Sequence, residues 1–236
     1  MGDVTDGQWP VAFPYLTGAG TARRHRSLLQ QAETAHRTSA QQLRLAGRRE
    51  AARKAESYAA WTRFGLDEPE MAQRLYGVIK AIRAAPRLRP LAGQALDGAL
   101  RLLKADRGNL QLADPATGAL HIAAQCGFDA EFLDYFAVVH DDGAACGRAA
   151  SQRSQTVITD VTSDPGFAVH REMAAAAGFR AVQSTPLTGR DGTLVGVIST
   201  HYPRPYRPPD RELRLIERYA DLIGQSAAQP VPARPD

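Results

Sequence analysis

The stretch Phe179–Pro203, FRAVQSTPLTGRDGTLVGVISTHYP, constrains the fold more than any other part of the chain. Val, Ile, Thr and Leu dominate Arg180–Leu187 and Thr193–Tyr202, and Gly-Arg-Asp-Gly at 189–192 supplies the residues a reversing backbone needs. The spacing predicts two antiparallel strands joined by a tight turn. Each strand mixes small polar residues (Gln183, Ser184, Ser199, Thr200) with apolar ones. That composition suits a sheet with one face packed and the other lining a cavity.

The segments before and after it supply partners for this hairpin. Leu91–Lys104 repeats Leu and Ala three or four residues apart, which predicts an amphipathic helix. Gly108–Ala113 and Leu120–Gln125 read as strands around the turn Asp114-Pro-Ala-Thr-Gly118. Ala130–Val139, Ala145–Gln152 and His170–Ala177 read as short helices, Thr156–Val161 as a further strand, and Arg211 to about Ala228 as a closing helix. Strands joined by hairpins or by small helices argue for an antiparallel sheet flanked by helices, an α+β fold, rather than a parallel βαβ sheet.

Upstream the chain changes character. Residues 20–65 are rich in Ala, Arg, Gln, Glu and Leu, all strong helix formers, hold no proline, and predict one long helical stretch. Leu29, His36, Leu43, Glu50, Ser57 and Phe64 fall in one heptad column, and Ala32, Ser39, Ala46, Arg53 and Ala60 in the other. This is a small-residue seam, good at its ends and poor in the middle, for pairing with another helix. Gly47 within it costs about 1 kcal/mol of helix propensity. Asp67-Glu-Pro-Glu restarts a helix, and Pro86 and Pro90 break the chain. The expected organisation is a disordered tail over 1–19, a basic helical segment over 20–88 for dimerisation or transmission, a folded domain over 89–228, and a disordered tail over 229–236.

Charge follows this division. Ten Lys and Arg stand against Glu33, Glu50 and Glu56 between Thr21 and Phe64, so that segment holds about +7 of a chain whose net charge is +4. These arginines go all round the helix rather than along one stripe, which favours a solvated helix pairing with a second copy over a nucleic-acid site. The two cysteines, Cys126 and Cys146, make neither a disulfide framework nor a paired metal motif. The first 18 residues carry acids where a signal peptide carries bases, and no apolar run approaches the 18–20 residues of a bilayer span. A cytoplasmic protein is expected.

Several spaced segments belong together: Ala105-Asp-Arg-Gly-Asn-Leu-Gln-Leu112, Asp114-Pro-Ala-Thr-Gly118, Ala144-Ala-Cys-Gly-Arg-Ala149, Thr159-Asp-Val161 with Asp164-Pro165, Ala181-Val-Gln-Ser-Thr-Pro-Leu187 and Leu194-Val-Gly-Val-Ile-Ser-Thr-His201. In this order they resemble one family, the GAF domain, a small-molecule-sensing module of bacterial signalling proteins. The likeness spans about 91–228 and is strongest to GAF modules joined to sensor histidine kinases. It implies a fold and leaves the ligand open, because such domains bind cyclic nucleotides, tetrapyrroles, metals, amino acids or nothing known. The family's cyclic-nucleotide motif and the Cys-His pair that carries bilin in phytochromes are not visible. Cys146-Gly147 also resembles a redox pair of free methionine-R-sulfoxide reductases, themselves GAF domains, but 163–171 lacks the further cysteine those enzymes use.

Candidate ligand-binding residues follow from strand parity and the short helices. Asn109, Gln111, Gln183, Thr185 and Thr200 are polar residues on strands expected to be central, and a buried amide or hydroxyl needs a partner. Alternation puts Asn109 with Gln111 on one face, and Gln183 with Thr185 likewise. Phe136, Phe167 and Met173, with Phe132, Tyr135 and Phe179, flank the expected cavity or form plain core. Cys146 opens a helix, where backbone N–H groups would lower its pKa; the alternative is a small buried apolar residue. His121, His140, His170 and His201 fit no metal-ligand spacing, and His170 and His201, at element ends, are expected half exposed.

The leading expectation is a non-enzymatic sensor of an unidentified small molecule, with its cofactor unknown. Output would pass through the N-terminal helices of a homodimer, or through a histidine kinase or other signalling partner. A thiol-dependent reductase of the free methionine-R-sulfoxide type using Cys146, and a ligand-free dimerisation scaffold, are the alternatives.

Overall fold

The computed structural model describes residues 19–84, 88–189 and 191–227. The expected tails over 1–19 and 229–236 lie outside these residues, apart from position 19. The chain divides into two compact units, with the division between Tyr76 and Gly77.

In the first unit, two helices stand over 20–65 where the sequence predicts one. Helix α1 runs Ala19–Leu45 and α2 runs Arg49–Asp67. Gly47 is the reason. It takes φ +73°, Arg48 N–H donates to Leu43 C=O and Gly47 N–H to Arg44 C=O, both at 2.9 Å. That pattern is a Schellman stop, which uses glycine's access to the left-handed region. The residue read as a cost inside a helix is the residue that ends one.

The two helices then fold back on each other. His36 stacks on Tyr58 with centroids 5.3 Å apart, Arg44 pairs with Glu56, and Glu33 lies 3.7 Å from Arg63. Partners whose numbers rise on one helix as they fall on the other define an antiparallel hairpin. Leu29 and Ala40 from α1 and Ala52, Ala59, Ala60, Trp61 and Phe64 from α2 are buried. Helix α3, Pro69–Ala84, starts at the predicted proline and runs across the division between the units.

The second unit is built on a six-stranded sheet. Its strands are β1 (Arg107–Ala113), β2 (Leu120–Cys126), β3 (Val138–Val139), β4 (Thr156–Ile158), β5 (Ala181–Thr188) and β6 (Leu194–Tyr202). They lie in the order β3-β2-β1-β6-β5-β4, and every neighbouring pair is antiparallel. The expected α+β sheet with flanking helices, preceded by helices, is the observed architecture. Strands β1 and β6 form its centre, the hairpin of the opening stretch supplies β6 and its neighbour β5, and the edge strands are the shortest.

Helices α4 (Ala92–Leu103) and α8 (Asp210–Ala227) cover one face. Tyr219 donates its hydroxyl to Ala95 C=O at 3.1 Å and joins them. At Gly224 a Cβ would stand 2.5 Å from both Thr188 N and O, so the backbone of α8 lies against β5. The other face carries α5 (Ala130–Tyr135), α6 (Ala145–Gln152), a 3-10 turn at Pro165–His170 and α7 (Arg171–Ala176). Asp129 and Asp164 cap α5 and the 3-10 turn by accepting from Phe132 N–H and Phe167 N–H, each at 3.0 Å. Helix α5 is shorter than the predicted 130–139, because Val138–Val139 leave it to pair with β2. The helix predicted to open at His170 starts there as α7, with the 3-10 turn before it.

Candidate functional site

Strand register decides which polar side chains meet. Asn109 on β1 sits opposite Ser199 on β6, and Ser199 opposite Ser184 on β5. These three form one row across the sheet, facing α5, α6 and the 3-10 turn. Gln111 lies two residues further along β1, and His201 two further along β6, on the same face. One residue out of step, Gln183 pairs with Thr200 on the opposite face.

The row forms the floor of a cavity. Asn109, Gln111, Ser184, Ser199 and His201 line it below, with Val182. Phe132, Phe136, Phe167 and Phe179 wall it, and Ala144, Ala145 and Cys146 close it at the start of α6. The cavity volume is about 20 Å³, room for one or two water molecules.

Its hydrogen bonding is incomplete. Ser184 and Ser199 hydroxyls bond each other at 2.8 Å. Gln111, fully buried, has neither its amide nitrogen nor its amide oxygen paired; Asn109 Oδ1 and His201 Nδ1 are likewise buried without partners. A buried polar atom left unpaired costs about 1–3 kcal/mol. Native cores contain few of them, and here three residues lining one cavity carry four.

The electrostatics keep the cavity neutral. Burial, and then the charge of Arg107, push the His201 imidazole down to about 3. Its ring packs edge-on against Phe128 and Phe179, with centroids 4.9 and 4.7 Å away. Burial pushes the Cys146 thiol up to about 11; neighbouring N–H groups and the nearby Gln111 side chain, which makes no formed hydrogen bond to it, favour the thiolate, but less than burial opposes it. Of the two readings of Cys146, the lowered pKa at a helix start is corrected, because desolvation exceeds the helix terminus, and the small buried residue is what the structure places there.

The lid segments are tied together. Arg148 on α6 holds Asp164 through Nη2–Oδ1 at 2.7 Å and Nη1–Oδ2 at 3.0 Å, and also donates to Asp142 and Gly143 carbonyls. The Asp164 carboxyl is held below the usual range by Arg148. Tyr135 on α5 bonds His170 Nδ1 at 3.0 Å and donates to Val169 C=O at 3.2 Å. His170 and His201, expected half exposed, are both buried, because the lid closes over the first and the aromatic wall over the second.

Of the nine residues singled out from the sequence, Asn109, Gln111, Phe136, Cys146 and Phe167 line this cavity. Met173 packs against the surrounding apolar cluster without lining it. Gln183, Thr185 and Thr200 lie on the opposite face, where they satisfy one another. Gln183 Nε2 donates to Thr185 Oγ1, Thr200 Oγ1 to Gln183 Oε1 at 3.2 Å, and Gln155 Nε2 to Thr185 at 3.0 Å. The hollow expected to have a floor of Asn, Gln and Thr has one of Asn, Gln, Ser and His. Ser184, Ser199 and His201 complete it, and parity alone could have found them once Asn109 was placed in register with Ser199.

Among the described residues no cluster of His, Cys, Asp and Glu is arranged to hold a metal, and no helix is long and apolar enough to cross a membrane.

Comparison with known proteins agrees with this architecture. No curated protein matches the sequence. Among solved structures, the chain is similar to a protein described as a GAF sensor from Burkholderia vietnamiensis (22% identity over 66% of this chain and 92% of that one, TM-score 0.54). It is similar to the GAF domain of a phosphoenolpyruvate-protein phosphotransferase from Coxiella burnetii (16%, 67% and 92%, 0.56). It is also similar to the free methionine-R-sulfoxide reductase of Neisseria meningitidis, solved with its substrate (14%, 66% and 87%, 0.53). These likenesses concern the fold. The family model of the GAF domain matches residues 87–226, more than half of the sequence, and the chain belongs to the GAF domain family.

Proposed function

We propose that the protein is a cytoplasmic small-molecule-sensing GAF module that carries out no reaction itself. The ligand is held between the sheet and the lid by Asn109, Gln111, Ser184, Ser199 and His201, with Phe136, Phe167 and Cys146 against it. One observation carries this reading: the fully buried Gln111 presents both amide atoms, unpaired, to a cavity. A ligand that pairs them favours the closed lid by its differential affinity for that state. The signal leaves through the helical segment that precedes the sheet, toward a second copy of the chain or a separate signalling partner. Gln183, Thr185 and Thr200 support the sheet from behind.

The reductase reading has less support. A reducing thiol must be available as thiolate, and Cys146 is buried with its thiol pushed up to about 11. Cys126 is exposed and lies outside the cavity lining.

The test is thermal unfolding of the full chain against a panel of nucleotides, amino acids and haem, alongside methionine sulfoxide turnover. A ligand should raise the melting temperature, with no turnover by wild type or Cys146→Ser. Turnover lost in Cys146→Ser would establish the enzyme instead; no stabilisation by any compound would favour a plain scaffold.

A further inference from the structure

The side chains at the cavity restrict what can occupy it, an argument that rests on the sensor reading above. From these groups we infer that the ligand is an uncharged small molecule presenting an N–H beside a C=O: a primary carboxamide, a lactam or a cyclic urea.

Three observations lead there. First, Gln111 leaves an amide donor and an amide acceptor unpaired side by side. A carboxamide is matched best by another cis N–H/C=O edge, which closes a ring of two hydrogen bonds and pairs both atoms together. A carboxylate offers acceptors alone, so it would face Gln111 Oε1 with no donor. Asn109 Oδ1, also unpaired and buried, is placed to accept a second N–H.

Second, no lining side chain carries a charge. The thiol stays protonated and the imidazole neutral. Nearby ionic groups are engaged elsewhere: Arg148 and Asp164 with each other, Asp141 with Gly143 N–H at 2.8 Å, and Arg107, whose charge His201 feels, with Ala177 C=O. An anion or cation entering here would lose its hydration and find no counter-ion, a cost the neutral dipoles cannot offset.

Third, Phe132, Phe136, Phe167 and Phe179 wall the polar floor. Aromatic faces above an amide pair select a flat ligand with an apolar body and one polar edge. The cavity holds only one or two waters, so Phe136, just after α5, and Phe167, on the 3-10 turn, must move outward to admit a ligand of this size.

The experiment uses the full chain and two matched pairs of probes, nicotinamide with nicotinate and uracil with orotate. Each pair differs by a carboxylate, and cyclic AMP serves as a phosphate control. At ten times its Kd an uncharged member should raise the melting temperature by about 3–6 °C, while its carboxylate partner leaves it unchanged. Gln111→Met should weaken binding at least tenfold in calorimetry. A charged probe that stabilises while its uncharged partner does not overturns the inference and leaves the sensor reading standing. If no probe of either charge stabilises the protein, both fall.

Discussion

Arg148 grips both carboxylate oxygens of Asp164, at 2.7 and 3.0 Å, and so joins the start of α6 to the 3-10 turn that carries Phe167. Two walls of the cavity are held by one fork-to-fork ion pair, a geometry stronger than a single charged contact. Both side chains are more than three-quarters buried, so solvent screens the pair less than it would on an open surface.

Breaking that pair should loosen the lid before it unfolds the sheet. Arg148→Ala is expected to cost about 2 kcal/mol. In hydrogen exchange it should speed residues 141–147 and 164–170, with β5 and β6 unchanged. Uniform acceleration across the sheet would mean that the pair supports the whole fold and not the lid.

Gly224 sets local propensity against packing. In an exposed helix Gly→Ala stabilises by about 0.5–1 kcal/mol. Here the new methyl would stand 2.5 Å from Thr188 N and O and 2.9 Å from Leu187 C, all backbone atoms. Gly224→Ala should therefore destabilise by at least about 2 kcal/mol in denaturant unfolding. A gain in stability would mean that α8 lies further from β5 than described.

Acid should unfold the protein partly through His201. The folded imidazole stays neutral down to about 3, whereas the unfolded one takes a proton below its ordinary 6.5. The unfolded state thus binds more protons in this window. Stability is full above about 6.5 and falls as pH drops toward 3, by up to about 1.4 kcal/mol per pH unit for one proton. His170, lowered first by burial, adds in the same direction. His201→Phe should flatten the loss between pH 6.5 and 5. An unchanged slope would show that His201 is not the buried neutral group described.

The cysteines should react very differently. Cys126 is exposed, and Cys146 is buried at the cavity. A thiol reagent at pH 8 should label one cysteine per native chain quickly and the second only at the rate of opening. Rapid labelling of both would place Cys146 within reach of solvent.

The fold was legible where a local pattern and the tertiary structure agree. The 181–202 hairpin, the 114–118 turn and α6 sit where Val/Ile/Thr runs, Asx-Pro turns and the Gly-rich loop predict them. Half of the site was legible as well, since Asn109 and Gln111 share a parity on one strand. The missing half turned on register: Gln183 and Ser184 are equally polar neighbours, and only pairing with Ser199 shows which faces the cavity. Sequence left Cys146 open between a helix-start thiolate and a buried apolar residue, and misread the two buried histidines, because burial is not a local property. Gly47 was misread because one helix and a hairpin of two share the same propensities until a φ of +73° separates them.

The central claim is that Gln111 is left unpaired by the protein and kept for a ligand. Its most direct test is the melting temperature of Gln111→Met, purified without ligand. Met fills similar space without the two polar atoms, so removing their desolvation penalty should raise the melting temperature by about 2–6 °C while abolishing ligand stabilisation. A fall in melting temperature would contradict the account, because Gln111 would then be a satisfied amide that the fold itself needs.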